Sequence, residues 1–297
     1  MNDISYCGYV AIIGRPNVGK STLMNYIIGE KVSITARKPQ TTRHRISGIR
    51  TSGDYQSIYV DTPGLHRGAK KALNKQLNKT ASQVLADVDV ICFMVEAGKW
   101  EDDDQWILNR LKDAKSPVIL VINKIDKMKN KNELFPYIDE LNKKFEFTDI
   151  ISISAATGKR VGEFEKIINK YLPEGPHLYG DEQITDRSER FWVSEIIREK
   201  LIRNLGQEVP HALAVEIEQY KWDEKLLRIS AIIWVERDGQ KKIVVGKKGE
   251  VLKKVGTQAR KDMEAYFESK VFLQLWVKIK KSWSDDERAI QSLGYKE

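Results

Sequence analysis

Between the apolar run 9–13 and the helical pattern 21–28 lies Gly14-Arg15-Pro16-Asn17-Val18-Gly19-Lys20-Ser21, which spells G-x-x-x-x-G-K-[ST]. A strand entering the loop and a helix leaving it is the context that this P-loop pattern needs. The residue types follow from the ligand's chemistry. Phosphate oxygens concentrate negative charge, and small residues let backbone N–H groups wrap them. A helix N-terminus adds a favourable dipole. Lys20 supplies a mobile cation for the β- and γ-phosphates, and the Ser21 hydroxyl is spaced to ligate Mg²⁺.

The chain has 297 residues, a prior of about two domains at roughly 150 residues each. Its first part alternates strand patterns (9–13, 46–51, 56–60, 88–95, 118–122, 150–153) with helical ones (21–28, 73–85, 105–114, 134–145, 162–171). The pair 46–51 and 56–60 flanks Gly53-Asp54 and predicts an antiparallel hairpin. The later Val/Ile-rich runs fit central parallel strands covered on both faces. The alternation predicts a doubly wound α/β sheet with its ligand at the carboxyl ends of the strands. Leu172-Pro-Glu-Gly-Pro-His-Leu-Tyr-Gly-Asp181 then breaks the pattern. The expected organisation is a domain over 1–175, a linker over 176–188 and a second domain over 189–297. In the second domain a helix (189–205), two strands (212–220, 227–235), a short extended piece (242–245), a long helix (249–267) and a last strand (271–280) are predicted.

Two cysteines, Cys7 and Cys92, and four scattered histidines exclude a disulfide framework and argue against structural zinc. Cys92 lies in an apolar run and reads as a small buried hydrophobe. No run approaches the roughly 20 apolar residues of a membrane span, and the N-terminus lacks a signal-peptide pattern, so a cytoplasmic location is expected.

Three more elements follow the P-loop in order. Asp61-Thr62-Pro63-Gly64 ends the hairpin; an Asp there can hold Mg²⁺ through water, and Gly64 can offer its N–H to the γ-phosphate. Asn123-Lys124-Ile125-Asp126 closes the run 118–122. Its carboxylate can accept from guanine N1–H and the exocyclic amine, which selects guanine over adenine by leaving the wrong base unpaired. Ser154-Ala155 follows 150–153, where a backbone N–H can reach guanine O6. With Thr22 just past the P-loop, these residues make up the expected nucleotide site. The four elements in this order resemble the Ras-like GTPase superfamily. Asn17 and Gln40-Thr41-Thr42-Arg43-His44 are similar to the translation-factor-related bacterial GTPases. That resemblance implies catalytic roles for Lys20, Thr42, Gly64 and Asn17, and a Mg²⁺ set of Ser21, Thr42 and Asp61, with Thr41 the alternative to Thr42. Arg37 and Lys38 read as solvated residues of the mobile loop. Leu65 stands where Ras-type enzymes carry a water-orienting glutamine, so slow intrinsic turnover is expected. In relatives with Asn17, that residue helps bind K⁺; here it either does so or only shapes the loop.

Ile243-Val244-Val245-Gly246-Lys247-Lys248-Gly249 carries a G-x-x-G loop before a long helix. In KH domains such a loop clamps the sugar-phosphate backbone beside an apolar groove for bases. Lys241, Lys242, Lys247, Lys248, Lys253, Lys254, Arg260 and Lys261 stand against Glu250 alone, so the chain's net charge of +8 is concentrated here. The expected RNA contacts are Ile243, Val244, Gly246, Lys247, Lys248, Gly249 and Lys253. Trp192, Trp222, Trp234 and Trp276 are read as core rather than stacking platforms. Glu101-Asp-Asp-Asp104 reads as a helix N-terminal turn. The predicted order α-β-β-α-β resembles a type II KH fold.

A Ras-like P-loop GTPase domain (α/β) followed by an α+β type II KH domain resembles the Era family from residue 8 to about 283. The resemblance implies GTP/GDP and Mg²⁺ as cofactors, with K⁺ added if Asn17 binds it. It implies action in small (30S) ribosomal subunit assembly, binding of the 3′ end of 16S rRNA, and a cytoplasmic protein at the inner membrane face. Without coiled-coil heptads a monomer is expected. An RNA scaffold with a structural nucleotide and a lipid-reading GTPase are the competing readings; the glycine loop favours RNA over lipid.

Overall fold

The computed structural model describes residues 4–36, 38, 41–62, 85–206, 213–286, 288 and 290. The pattern 73–85, except for residue 85, and Arg37, Gln40, Pro63, Gly64 and Leu65 lie outside the described residues. The described chain forms two compact units. The first takes residues 4–33, 42–62 and 85–186; the second takes those of 34–41 and those from 187 onward.

In the first unit, β1 (Tyr6–Ile13), β2 (Ile46–Ser52), β3 (Tyr55–Asp61), β4 (Val90–Glu96), β5 (Val118–Asn123) and β6 (Asp149–Ser152) form one sheet in the order β2-β3-β1-β4-β5-β6. Only β2 runs antiparallel to its neighbour. Every residue of β4 and β5 is buried, which explains their unbroken apolar spelling. Helices α1 (Lys20–Ile28), α2 (Asp102–Leu111), α3 (Leu134–Asn142) and α4 (Val161–Asn169) alternate with the strands. Parallel pairing sets Ile12 beside Asp61 and Glu96 beside Asn123. The strand ends that carry the motifs therefore share one edge of the sheet. Cys92 is fully buried within β4.

Residues 173–186 are ordered along this sheet. The Gln56 amide is fully buried; it accepts from the N–H of Leu178 (2.8 Å) and Tyr179 (3.0 Å) and donates to the Tyr179 carbonyl (2.8 Å). Ile49 N–H donates to Ile184 O (2.9 Å), Gly48 bridges Thr185, and Ser47 Oγ donates to Asp186 (3.0 Å).

In the second unit, α5 (Glu189–Asn204), β7 (Ala214–Asp223), β8 (Leu226–Val235), α6 (Asp238–Val245), α7 (Glu250–Phe267) and β9 (Lys270–Ile279) follow in order. The sheet order is β7-β8-β9, with β7 antiparallel and β9 parallel to β8. Val193, Ile197, Leu227, Ala231, Val255 and Met263 share its core, and Ile34 is buried in the same cluster.

Two expectations are corrected here. The piece 242–245 is helical, so the order is α-β-β-α-α-β. Its β-branched residues are overridden by local caps: Gln240 Oε1 accepts from the N–H of Glu236 (2.9 Å) and Arg237 (3.0 Å), and Lys242 pairs with Asp238 one turn back (3.1 Å). The second correction concerns tryptophan. Trp222 and Trp276 are 41% and 50% exposed. Alternation along β9 turns Phe272 and Trp276 to one face and the buried Val271 and Val277 to the other. Trp234 is half-buried, with Nε1 donating to Glu216 (2.7 Å).

Candidate nucleotide and nucleic-acid sites

The P-loop joins β1 to α1 through two left-handed residues that matter, Asn17 (φ +65°) and Gly19 (φ +113°). A Cβ on Gly19 would lie 2.2 Å from Asn123 Nδ2, so only glycine allows the loop to close on that side chain. Lys20 Nζ donates to the carbonyls of Gly14 (2.9 Å) and Arg15 (3.1 Å). Burial pulls its ammonium down to about 8, and Asp61 opposes that shift. Val18 is buried, Pro16 and Thr22 are half-buried, and Asn17 is exposed.

Three hydroxyls converge on Asp61 at the end of β3. Ser21 Oγ donates to Oδ2 (2.6 Å), as do Ser33 Oγ (2.9 Å) and Thr42 Oγ1 (3.3 Å), while Ser21 Oγ and Thr42 Oγ1 lie 3.1 Å apart. Thr41 Oγ1 instead donates to Lys38 O (2.7 Å). Asp61 Oδ1 is buried with no hydrogen-bond partner. Burial raises the Asp61 carboxyl above its usual range, against the pull of Lys20 and the three hydroxyls. A buried carboxylate oxygen without a partner, set among hydroxyl oxygens, fits a hard divalent cation such as Mg²⁺. Thr62, one residue on, donates its hydroxyl to Ile12 O (3.2 Å) and so tethers the end of β3 to β1.

Asn123 joins three segments. Its Nδ2 donates to Val18 O (2.8 Å) and its Oδ1 accepts from Ala155 N–H (2.9 Å). Asp126 is exposed, and Ser154 Oγ donates to its Oδ1 (2.6 Å). Lys124, at φ +67°, pairs with Glu96. The predicted residues of β1, β3, β5 and β6 are thus brought to one edge; Pro63 and Gly64 lie outside the described residues.

Sequence reasoning missed three participants. Ser33 carried no motif. Glu96 lies just past the run 88–95 and matches no motif. The run Glu101–Asp104 does open α2, with Asp104 accepting from Glu101 N–H (3.0 Å), and it also grips the P-loop. Arg15 Nε donates to the fully buried Asp104 (3.0 Å), and Arg15 Nη1 pairs with Glu101 (3.0 Å). An arginine in the loop and acids 86 to 89 residues later were the only signal, and spacing alone could not pair them.

In the second unit Gly246 (φ +74°), Lys248 (φ +52°) and Gly249 (φ +81°) turn the chain between α6 and α7. A Cβ on Gly246 would meet Val251 Cγ2 at 2.5 Å, so the turn requires glycine. Lys247, Lys248, Lys253 and Lys254 are exposed, whereas Lys242 and Arg260 are spent on pairs within their helices. Ile243 is 50% exposed. Val244 is fully buried in the core, so its side chain is withdrawn from any RNA surface. Leu252 of α7 and Leu273 and Leu275 of β9 are half-buried apolar residues beside this loop's helix.

Residues 9–124 match the family described as 50S ribosome-binding GTPase, and residues 208–284 match the KH domain family. The chain is 55% identical to the GTPase Era of Pasteurella multocida over 295 residues, 99% of this chain and 96% of that one. It is 56% identical to the GTPase Era of Actinobacillus pleuropneumoniae over 292 residues, 98% and 96% of the two chains. A crystal structure of a tyrosine-to-alanine variant of Aquifex aeolicus Era bound to GDP·AlF4⁻ is 41% identical with a TM-score of 0.94, covering 98% of this chain and 99% of that one. A crystal structure of Era with MgGDPNP and nucleotides 1506–1542 of 16S ribosomal RNA is also 41% identical, with a TM-score of 0.95 over the same shares. No helix among the described residues is long and apolar enough to cross a membrane. With a P-loop site at the strand ends and a glycine loop in a KH fold, the chain belongs to the Era family of GTPases.

Proposed function

We propose that this GTPase binds the 3′ end of 16S rRNA through its KH unit during small-subunit assembly, with RNA affinity set by the bound nucleotide. Support for the RNA comes from the Era complex with nucleotides 1506–1542 and from the exposed lysines of the 246–249 loop. Gly246, Lys247, Lys248, Gly249 and Lys253 hold the phosphate backbone, Ile243 borders it, and the half-buried leucines receive bases.

At the nucleotide site, the P-loop amides of residues 14–21 cradle the phosphates, Lys20 neutralises them, and Thr22 continues the helix behind them. Ser21, Thr42 and Asp61 hold Mg²⁺, with Asp61 acting through water; the orphaned Oδ1 supports this set, and the Thr41 hydroxyl is engaged elsewhere. When bound, Mg²⁺ offsets charge developing on the phosphates. Asp126 reads guanine, Asn123 braces the P-loop, and Ala155 N–H reaches O6. Gly64 offers its N–H to the γ-phosphate. Asn17 would hold K⁺, and the ion would supply there the charge that an arginine finger gives; equal turnover in KCl and NaCl at one ionic strength refutes that role.

One observation carries the coupling. The described residues of 34–41, just before Thr42, pack within the KH unit: Ile34 is buried in its core, and Thr35 N–H donates to Glu199 (3.1 Å). Arg203 donates to Thr35 O (2.8 Å), and Arg198 of α5 donates to Thr41 O. Thr42 follows directly, so drawing it onto Mg²⁺ pulls on a segment anchored to α5. By linkage, RNA must then favour the GTP state by the same factor. The protein works in the cytoplasm as a monomer, with peripheral contact at the inner membrane face. Crosslinking of the GTP-analogue-bound protein in lysate, followed by sequencing of the attached RNA, tests this reading. One peak at the 3′ end of the small-subunit RNA is expected; a profile no sharper than that of a Gly246→Asp, Gly249→Asp variant refutes it.

A further inference from the structure

We infer that Glu96 is a positioning residue that clamps the guanine-side loop to the phosphate-side loop and sets how slowly nucleotide leaves. This rests on reading Asn123–Asp126 as the base-recognition loop. Glu96 ends β4 and is 9% exposed. Its Oε2 meets Lys124 Nζ at 2.5 Å and lies 3.9 Å from Arg15 Nη2, while its Oε1 meets Lys99 Nζ at 2.6 Å. Tyr137 donates its hydroxyl to the Glu96 carbonyl (3.2 Å) and to that of Lys99 (2.8 Å), which fixes the turn that aims the carboxylate.

Each partner leads to a different part of the site. Lys124 stands between Asn123 and Asp126 in a left-handed conformation that is uncommon for residues other than glycine. Arg15 is a P-loop residue, its carbonyl accepts from Lys20, and its Nη2 is buried with no hydrogen-bond partner. Glu96 is therefore the anion facing both loops, and Asp104 and Glu101 grip the rest of the Arg15 guanidinium. Arg15, Lys99 and Lys124 balance Glu96, Glu101 and Asp104 in charge. Neutralising Glu96 leaves an uncompensated cation beside a buried guanidinium and frees Lys124 from its anchor. Burial would raise the Glu96 carboxyl, but its bonds to Lys124 and Lys99 outweigh that and hold it at about 2, so it is ionised at any working pH.

Glu96 makes its ion pairs with Arg15, Lys99 and Lys124 and not with the hydroxyls of Ser21 and Thr42, so its removal moves nucleotide residence more than the chemical step. The test is stopped-flow release of fluorescent GDP from the full-length protein, with GTP turnover at saturation. Glu96→Gln keeps the shape and loses the charge; about tenfold faster release is expected, with kcat within twofold of the parent. Glu96→Asp recovers part of the loss. Lys144→Gln is the control, because it breaks an ion pair with Glu140 outside both loops and should change release less than twofold. A structural role alone would lower the melting temperature without separating release from kcat. Release by Glu96→Gln within twofold of the parent overturns the inference when Asp126→Ala speeds release. If Asp126→Ala also leaves release unchanged, the base-loop reading fails first and takes the Glu96 role with it.

Discussion

The buried ammonium of Lys20 predicts that nucleotide binding takes up a proton in alkaline solution. Free of phosphate, the group lies at about 8 because burial strips its hydration. A polyphosphate at its tip restores the charged form, and full restoration to the usual lysine value of roughly 10.5 is worth about 3 kcal/mol. The bound value is higher than the free one. The contribution is therefore complete below pH 8 and lost as pH rises from there toward the bound value. With those two values, binding at pH 8.5 takes up about three-quarters of a proton on Lys20, and at pH 7 only about a tenth. Affinity should fall by up to about tenfold per unit above pH 8. Calorimetry in buffers of different ionisation enthalpy reads the uptake directly. Guanine N1 also titrates in alkali, so Lys20→Arg, whose side chain does not titrate there, supplies the subtraction. A parent-to-variant affinity ratio that stays flat from pH 7 to 9.5 refutes the argument.

Three other outcomes follow from the geometry. Asp61→Asn removes the carboxylate on which Ser21, Ser33 and Thr42 converge; titration of nucleotide affinity against Mg²⁺ should lose its dependence, by tenfold or more. Gly246→Asp forces a side chain into Val251 at a left-handed position, so gel-shift binding of an RNA carrying the 16S 3′ sequence should weaken at least tenfold. Ile34→Ala opens a cavity in the KH core and should cost roughly 2–5 kcal/mol there; if the anchored loop couples the sites, the ratio of RNA affinities with GTP analogue and GDP also moves toward one in filter binding.

The first sheet was legible in the sequence because its strands are buried on both faces and its motifs punctuate their ends. Runs such as 118–122 needed only their length and Val/Ile content, and the hairpin needed only its turn. The second unit was harder where propensity and capping disagree. Ile243-Val244-Val245 spells a strand, yet Gln240 and the Asp238–Lys242 pair hold a helix. Trp276 looked buried because a single strand's pattern does not say which of its faces a helix covers. Within the site, the candidate nucleotide residues stand out by local spelling, since each lies in its own loop. Ser33, Glu96 and Asp104 act through partners far along the chain, and no local pattern records such pairs. Likewise, nothing in the spelling of 34–41 shows that its described residues pack in the second unit.

Strand β2 is an outer strand, and residues 184–186 occupy the side that would otherwise present free amides. Open strand edges template intermolecular pairing. The stretch after Pro173 thus acts as a built-in guard against self-association of the sheet. A fragment cut at residue 175 would shed that guard and uncover Ile49 N–H, inviting edge-to-edge aggregation, whereas one cut after residue 186 would keep it. Anyone dissecting this protein should place the cut by the last hydrogen bond to β2 and not by the last helix of the sheet domain.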